Sequence, residues 1–194
     1  RIVTRIEELA AKIQEAKSLR QQALEEAEAL IVSFHADLAG NRKRKMSELL
    51  TLYEETVPVI SSKEYPQAGV RNFGVGLFPK PAIRGSETAY KYFNRLYQGA
   101  LVLSQVKGWE GAIAVCDENL AGSFVSPEYR TFQCVNKEAR PEYLAALVPT
   151  PWFWHRLQQF TRGVGARRER TRPEQFLTLE IPMPDVYQQE KAES

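Results

Sequence analysis

Residues 1–37, RIVTRIEELAAKIQEAKSLRQQALEEAEALIVSFHAD, carry their apolar side chains in alternating steps of three and four. Ile2, Ile6, Leu9, Ile13, Ala16, Ala23, Ala27, Leu30 and Phe34 occupy two seam positions of a heptad, and only Arg20 is out of character there. Glu7, Glu8, Lys12, Glu15, Lys17, Gln21, Glu25 and Glu28 are strong helix formers, and no Gly or Pro intervenes before Gly40. A helix of this length runs roughly 50 Å at about 1.5 Å per residue, longer than a small domain is wide. The pattern therefore predicts a projecting coiled-coil helix over residues 1–40 that meets a partner helix through Ile2, Ile6, Leu9, Ile13, Leu30 and Phe34. The competing reading, an ordinary amphipathic helix packed on its own domain, suffers from that length. The opening at Arg1, already in phase with the heptad, reads as a piece of something longer.

Subtracting the helix leaves about 150 residues of the 194, enough for one hydrophobic core. The chain is 43% hydrophobic and 26% charged, the balance of a globular protein, and has no apolar run near the ~18 residues that span a bilayer. Cys116 and Cys134 lie in apolar, strand-like contexts, which suits buried thiols in a reducing compartment. The expectation is a cytoplasmic protein with no membrane contact.

Net charge is only +2, but it is unevenly distributed. Up to Asp37 five basic residues face seven acidic ones, whereas 21 basic and 17 acidic residues follow. Arg42, Lys43, Arg44 and Lys45 form one basic run, and Arg162, Arg167, Arg168, Arg170 and Arg172 form another. Clusters of this kind are the footprint of phosphate contacts, although a solvated charged face is their commoner role.

Beyond Gly40 and Asn41, which suit a helix C-terminus, Met46–Glu55 reads as a short amphipathic helix and 57–60 as extended chain. Tyr65–Arg95, rich in Gly, Pro and aromatics, reads as loops and short strands. Four strands are expected at Ala100–Ser104, Gly111–Cys116, Ser123–Ser126 and Thr131–Val135, and their close spacing favours antiparallel pairing. Helices follow at Pro141–Leu147 and, with Thr150 as N-cap, from Pro151 to Phe160. Gly163 and Gly165 open the arginine-bearing loop, Pro173 starts a helical turn, Thr178–Ile181 closes as a strand, and Asp185 with Gln188 starts a last helix. The class expected is α+β: a compact, largely antiparallel β domain with short helices behind a long projecting helix.

No catalytic constellation converges. The sequence has no phosphate-binding Gly-x-x-x-x-Gly-Lys, no His-Glu-x-x-His and no zinc-spaced Cys/His cluster, and Cys116, Cys134, His35 and His155 fall in contexts typical of packing. No cofactor or metal is expected.

Several stretches resemble a target recognition domain of the specificity subunit of type I restriction-modification enzymes. They are Tyr65-Pro66-Gln67-Ala68-Gly69-Val70-Arg71-Asn72-Phe73-Gly74, Trp109-Glu110-Gly111-Ala112, Gly122 to Tyr129, Pro141-Glu142-Tyr143-Leu144, and Ile181-Pro182-Met183-Pro184 before Gln188-Gln189. Residues 1–9 and 23–30 resemble the spacer helix preceding such a domain. The resemblance implies a spacer helix at 1–40, a DNA recognition domain at 41–184 and the start of a second spacer helix at 185–194. It implies a non-catalytic protein that reads one half of a bipartite sequence in double-stranded DNA, with methyltransferase and restriction subunits as partners. This chain departs from the family pattern in holding one recognition domain, not two in tandem. Side-chain chemistry nominates the contacts: arginine pairs with guanine, Asn or Gln with adenine, and Lys and Arg hold phosphates. Arg162, Arg167, Arg168, Arg170 and Arg172 rank first, followed by Arg71, Asn72, Arg84, Gln105 and Lys107. Trp152, Phe153 and Trp154 are expected to be core and docking residues. The alternative is a coiled-coil assembly protein whose globular head binds another protein. For the uncovered stripe, an antiparallel homodimer is the simplest partner.

Overall fold

A computed structural model describes residues 2–159 and 170–192. The heptad stretch is one unbroken helix, α1 (Ile2–Ala39), ended by Gly40 at φ +51° with its amide donating to the Ala36 carbonyl at 2.9 Å. Strand β1 (Lys43–Lys45), helix α2 (Met46–Leu49) and strands β2 (Leu50–Leu52) and β3 (Glu55–Pro58) follow. The hairpin of β4 (Glu64–Arg71) and β5 (Gly76–Arg84) leads to β6 (Tyr92–Arg95), β7 (Leu101–Ser104), β8 (Ile113–Val115), β9 (Phe124–Val125) and β10 (Tyr129–Cys134). Then come α3 (Pro141–Leu147), α4 (Pro151–Gln158), α5 (Pro173–Thr178), β11 (Glu180–Pro182) and α6 (Val186–Ala192). The expected α+β class, a long helix followed by a mainly antiparallel sheet domain, is the one observed.

Among the described residues the strands form a five-stranded sheet, β3-β6-β9-β4-β5, a four-stranded sheet, β2-β10-β7-β8, and the pair β1-β11. Strand β7 is buried along its whole length because both faces of its sheet are covered. Leu101 and Leu103 point with Phe132, Leu144, Phe153 and Phe176 into a core shared with the helices. Ala100 and Val102 point the other way, into a thinner core with Ala68, Ala112, Ala114 and Cys116 between the two sheets. Period-two alternation thus separates large side chains, which fill the gap to the helices, from small ones, which let the sheets approach.

Several local expectations need correction. Only Met46–Leu49 of the segment 46–55 is helical, because Leu50–Leu52 instead pair with Phe132–Cys134 of β10. The Gly- and Pro-rich region after Tyr65 holds strands of eight and nine residues. Pro79 and Pro81 lie on β5, at the edge of its sheet, and Pro66 sits where the register of β4 shifts between Tyr65 and Gln67, both places where strands tolerate proline. Strand pairing includes one parallel contact, β9 on β4, through Gln67 and Phe124. The closing strand starts at Glu180, Thr178 having been absorbed into α5. By contrast Thr150 caps α4 as expected, its hydroxyl accepting from the Phe153 amide at 3.3 Å. Asp185 and Gln188 make the reciprocal capping bonds that start α6.

Of α1 only His35 and Ala39 are buried. Ile2 is 78% and Leu30 71% exposed, and Ile6, Leu9, Ile13 and Phe34 are exposed as well, so the described chain leaves the seam uncovered. The helix is held at its last turns. His35 Nδ1 shares a 2.6 Å hydrogen bond with the Tyr143 hydroxyl on α3, and its ring lies edge-on to Trp152 of α4 at 5.0 Å. Arg156 stacks over the other partner, Trp152, at 3.7 Å. A second polar latch seats α6: the buried Gln189 side chain accepts from the Arg140 amide at 2.9 Å and donates to the carbonyls of Pro184 and Glu138 at 2.9 and 3.1 Å.

Burial lowers the pKa of His35 below its ordinary 6.5; the Pro182 carbonyl opposes that effect and the Arg156 charge adds to it. The unfolded chain therefore binds more protons just below pH 6.5, so the stability from a neutral His35 is complete above that pH and is lost as pH falls through the window beneath it. Urea unfolding between about pH 7 and pH 5.5 should show this slope in the parent and a flatter one in His35→Gln. Equal slopes would show that His35 titrates alike in the folded and unfolded chain, so that the junction does not lower its pKa.

Candidate nucleic-acid interface

The turn between β4 and β5 builds the most distinctive surface of the domain. Asn72-Phe73-Gly74-Val75 must reverse the chain in four residues, and Phe73 takes φ +59° to do so. For a bulky side chain that conformation costs roughly 1–3 kcal/mol and persists only where the surroundings enforce it. Here they do. The Phe73 amide donates to the Glu110 carbonyl at 2.7 Å and the Gly74 amide to the Gly111 carbonyl at 3.1 Å. Gly74, at φ +68°, presses so closely on Pro149 that a Cβ would sit 2.0 Å from its carbonyl oxygen. Gly111 offers the matching gap, since a Cβ there would lie 3.1 Å from the amides of Phe73 and Gly74. The outcome is a rigid tip with Phe73 68% and Val75 63% exposed.

Polar groups converge beside this tip. The Asn72 amide donates to the Glu110 carboxylate, which also receives Lys107 Nζ at 2.7 and 2.8 Å. Gln105 donates to the Pro127 carbonyl at 3.2 Å, and its own carbonyl accepts from the Thr171 amide at 2.8 Å. Arg170 lies 3.0 Å from the Glu128 carboxylate. At the far side of the same loop, Gln158 of α4 donates to the Trp109 carbonyl at 3.3 Å. Loop 105–111 thus ties together the hairpin tip, the end of α4 and the chain at 170–171.

This geometry sorts the nominated contacts. Asn72, Gln105, Lys107 and Arg170 fall in one connected cluster, with Arg71 beside Asn72 and stacked over Phe78 at 4.6 Å. Arg172 is exposed at the start of α5. Arg84 does not join them: it pairs in register with Glu64 at the opposite end of the hairpin, roughly 23 Å away at ~3.3 Å per residue. Arg162, Arg167 and Arg168 lie outside the described residues. The other basic run is absorbed structurally: Lys43–Lys45 form a strand, and Arg42, Lys43 and Arg44 face Asp185, Glu180 and Glu138 at 3.9, 4.0 and 2.7 Å, with Glu48 also on Arg44. Those carboxylates give Arg42, Lys43 and Arg44 a structural role, as Glu110 does for Lys107 and Glu128 for Arg170.

Sequence reasoning missed Phe73, Val75 and Glu110. The signal for the first two is present, an apolar pair set around a turn glycine where polar residues are the rule. Glu110 carries only a weak local signal, since Lys107 three residues away is an ordinary surface pair and Asn72 comes from elsewhere in the chain.

No nucleophile is assembled from the cysteines and histidines. Burial raises the thiols of Cys116 and Cys134 to about 11 and about 12, and His35 is engaged with Tyr143. Among the described residues no group of His, Cys, Asp and Glu side chains is arranged to hold a metal ion, and no helix is long and apolar enough to cross a membrane.

Closing of the tip on its cradle makes a prediction. Gly74→Ala should lower unfolding stability by more than ~2 kcal/mol, from the left-handed backbone and the clash with Pro149, while exposed Val75→Ala stays within ~0.5 kcal/mol. Denaturant midpoints for the two variants check this, and equal midpoints would mean the tip is not pressed against Pro149.

No protein-family model and no curated protein matches the sequence. Solved structures do. The crystal structure of the HsdS subunit from Thermoanaerobacter tengcongensis superposes with a TM-score of 0.62 at 17% identity, covering 77% of this chain and 39% of that one. A structure described as the basis of complex assembly and conformational transition of the type I R-M system gives 0.59 at 17% identity, covering 78% and 40%. The chain spans about two fifths of the length of the structures it matches. What is shared at this level of identity is architecture, and the chain has the fold of part of an HsdS subunit of a type I restriction-modification system.

Proposed function

We propose that this chain is a DNA specificity subunit, or a portion of one, that reads one half of a bipartite target and directs methyltransferase and restriction subunits without catalysing either reaction itself. The observation that carries the reading is the shared fold with HsdS over 77% of the chain. It is supported by the convergence of Lys107, Arg170, Gln105 and Asn72 at one end of the domain, the mix of cations and amides that duplex recognition requires. In this reading residues 41–184 are the recognition unit, residues 1–40 are a rod that spaces it from a second unit, and residues 185–194 begin a second rod helix. Arg162, Arg167, Arg168, Arg170 and Arg172 supply phosphate and guanine contacts, with Arg71, Asn72, Gln105 and Lys107 beside them. Arg84, at the far end of the hairpin, contacts an outlying phosphate.

Binding of the full chain to a randomised 40-bp duplex pool should weaken steeply between 50 and 200 mM salt, because neutralised phosphates release counterions. Changing Arg167 and Arg168 to Ala should shallow that slope by about one per lost phosphate contact, or cost ~1–3 kcal/mol on preferred sequences if either pairs with guanine. A parent that shows no salt-dependent duplex binding sinks the proposal and favours a head that binds protein.

We further propose that the exposed seam of α1 is covered by a second copy in antiparallel register, which sets two recognition units at opposite ends of a rod. Light scattering at tens of micromolar should report a dimer for the parent and a monomer once Ile6, Leu9 and Ile13 are changed to Lys. A monomeric parent, or a dimeric variant, assigns the seam to another partner.

A further inference from the structure

We propose that the Phe73–Val75 tip is an apolar wedge that enters between base pairs of the bound duplex and unstacks one step; this deepens the recognition function proposed above and rests on it. Three features of the tip go beyond what a turn between two strands needs. Phe73 and Val75 are exposed, so neither supports a core. Phe73 is held in a left-handed conformation by bonds from its own amide and from Gly74, which aim the ring outward when a glycine at that position would be unstrained. The tip is also cross-braced from below by Asn72, Glu110 and Lys107, so the ring is presented on a stiff support.

The surroundings identify the class of partner. Apolar side chains that kink DNA act as a wedge while flanking cations hold the backbone on either side. Arg71, Lys107 and Arg170 lie around this tip, Lys107 paired with Glu110 and Arg170 with Glu128, and the amides of Asn72 and Gln105 stand among them. A protein-docking surface of this size would instead need a broader apolar patch. Phe73 meets only the edge of Trp154, at 6.2 Å, and that indole is itself largely packed.

The test uses the full chain and the duplex it retains most strongly from a randomised pool, with 2-aminopurine placed at successive positions. The parent should give a rise in 2-aminopurine fluorescence at one step on binding. Phe73→Gly, which relieves the left-handed strain, should melt at the same or a higher temperature, bind at least tenfold more weakly, keep the parent's salt slope and lose the fluorescence rise. Phe73→Trp should restore both affinity and signal. Binding and fluorescence unchanged in Phe73→Gly would overturn the wedge and leave the tip for a protein partner. Weaker binding with the fluorescence rise intact would overturn insertion, and a lowered melting temperature would show that Phe73 serves packing. If the parent retains no duplex at all, the recognition function fails and the wedge with it.

Discussion

The seating of the last turns of α1 on α3 and α4 is the contact on which the rest of the arrangement depends. A helix with a bare apolar seam is useful only if its direction relative to the domain is fixed, and that direction is set over a few residues. Ala39 and Leu38 pack on the core, while His35 is clamped by the Tyr143 hydroxyl and the Trp152 ring. Because His35 is buried and carries its proton reluctantly, the joint is tight near neutral pH and weakened by acid. Gln189 does for α6 what His35 does for α1, and its three backbone bonds start the second helix from a fixed point on the same face.

Inside the domain the same economy of position holds. Strand β7 divides the molecule into a thick helical core and a thin sheet–sheet core, and the loop that follows it carries Gln105, Lys107 and Glu110 directly to the hairpin tip. The candidate interface therefore stands on strand ends and a braced turn, not on free loops. Arg170 and Thr171 are fastened to this same loop and its neighbour Glu128.

Much of this was legible in the sequence, and for identifiable reasons. Periodicity announces α1, since a heptad is a long-range signal that no local competitor erases. Caps announce α4 and α6, because Thr150 and Asp185 act through bonds three residues away. The length of the hairpin strands is hard to read because their prolines fall where strands tolerate them, Pro79 and Pro81 on the edge strand β5 and Pro66 at a register shift in β4. The structural role of the Arg42–Lys45 run is only partly legible, because Glu48 lies four residues from Arg44 but Glu138, Glu180 and Asp185 are over ninety residues distant in the chain. The cluster around Glu110 is only half visible to local reading: Lys107 is three residues away, but Asn72 reaches it only once the hairpin tip has packed on loop 105–111.

The central claim is that one recognition unit, duplicated by symmetry at the two ends of a rod, reads DNA. Sequencing the duplexes that the full chain retains from a randomised pool tests it most directly. Two identical half-sites in inverted orientation, separated by a stretch of fixed length without base preference, are predicted; one unbroken motif, or no enrichment at all, would contradict the account.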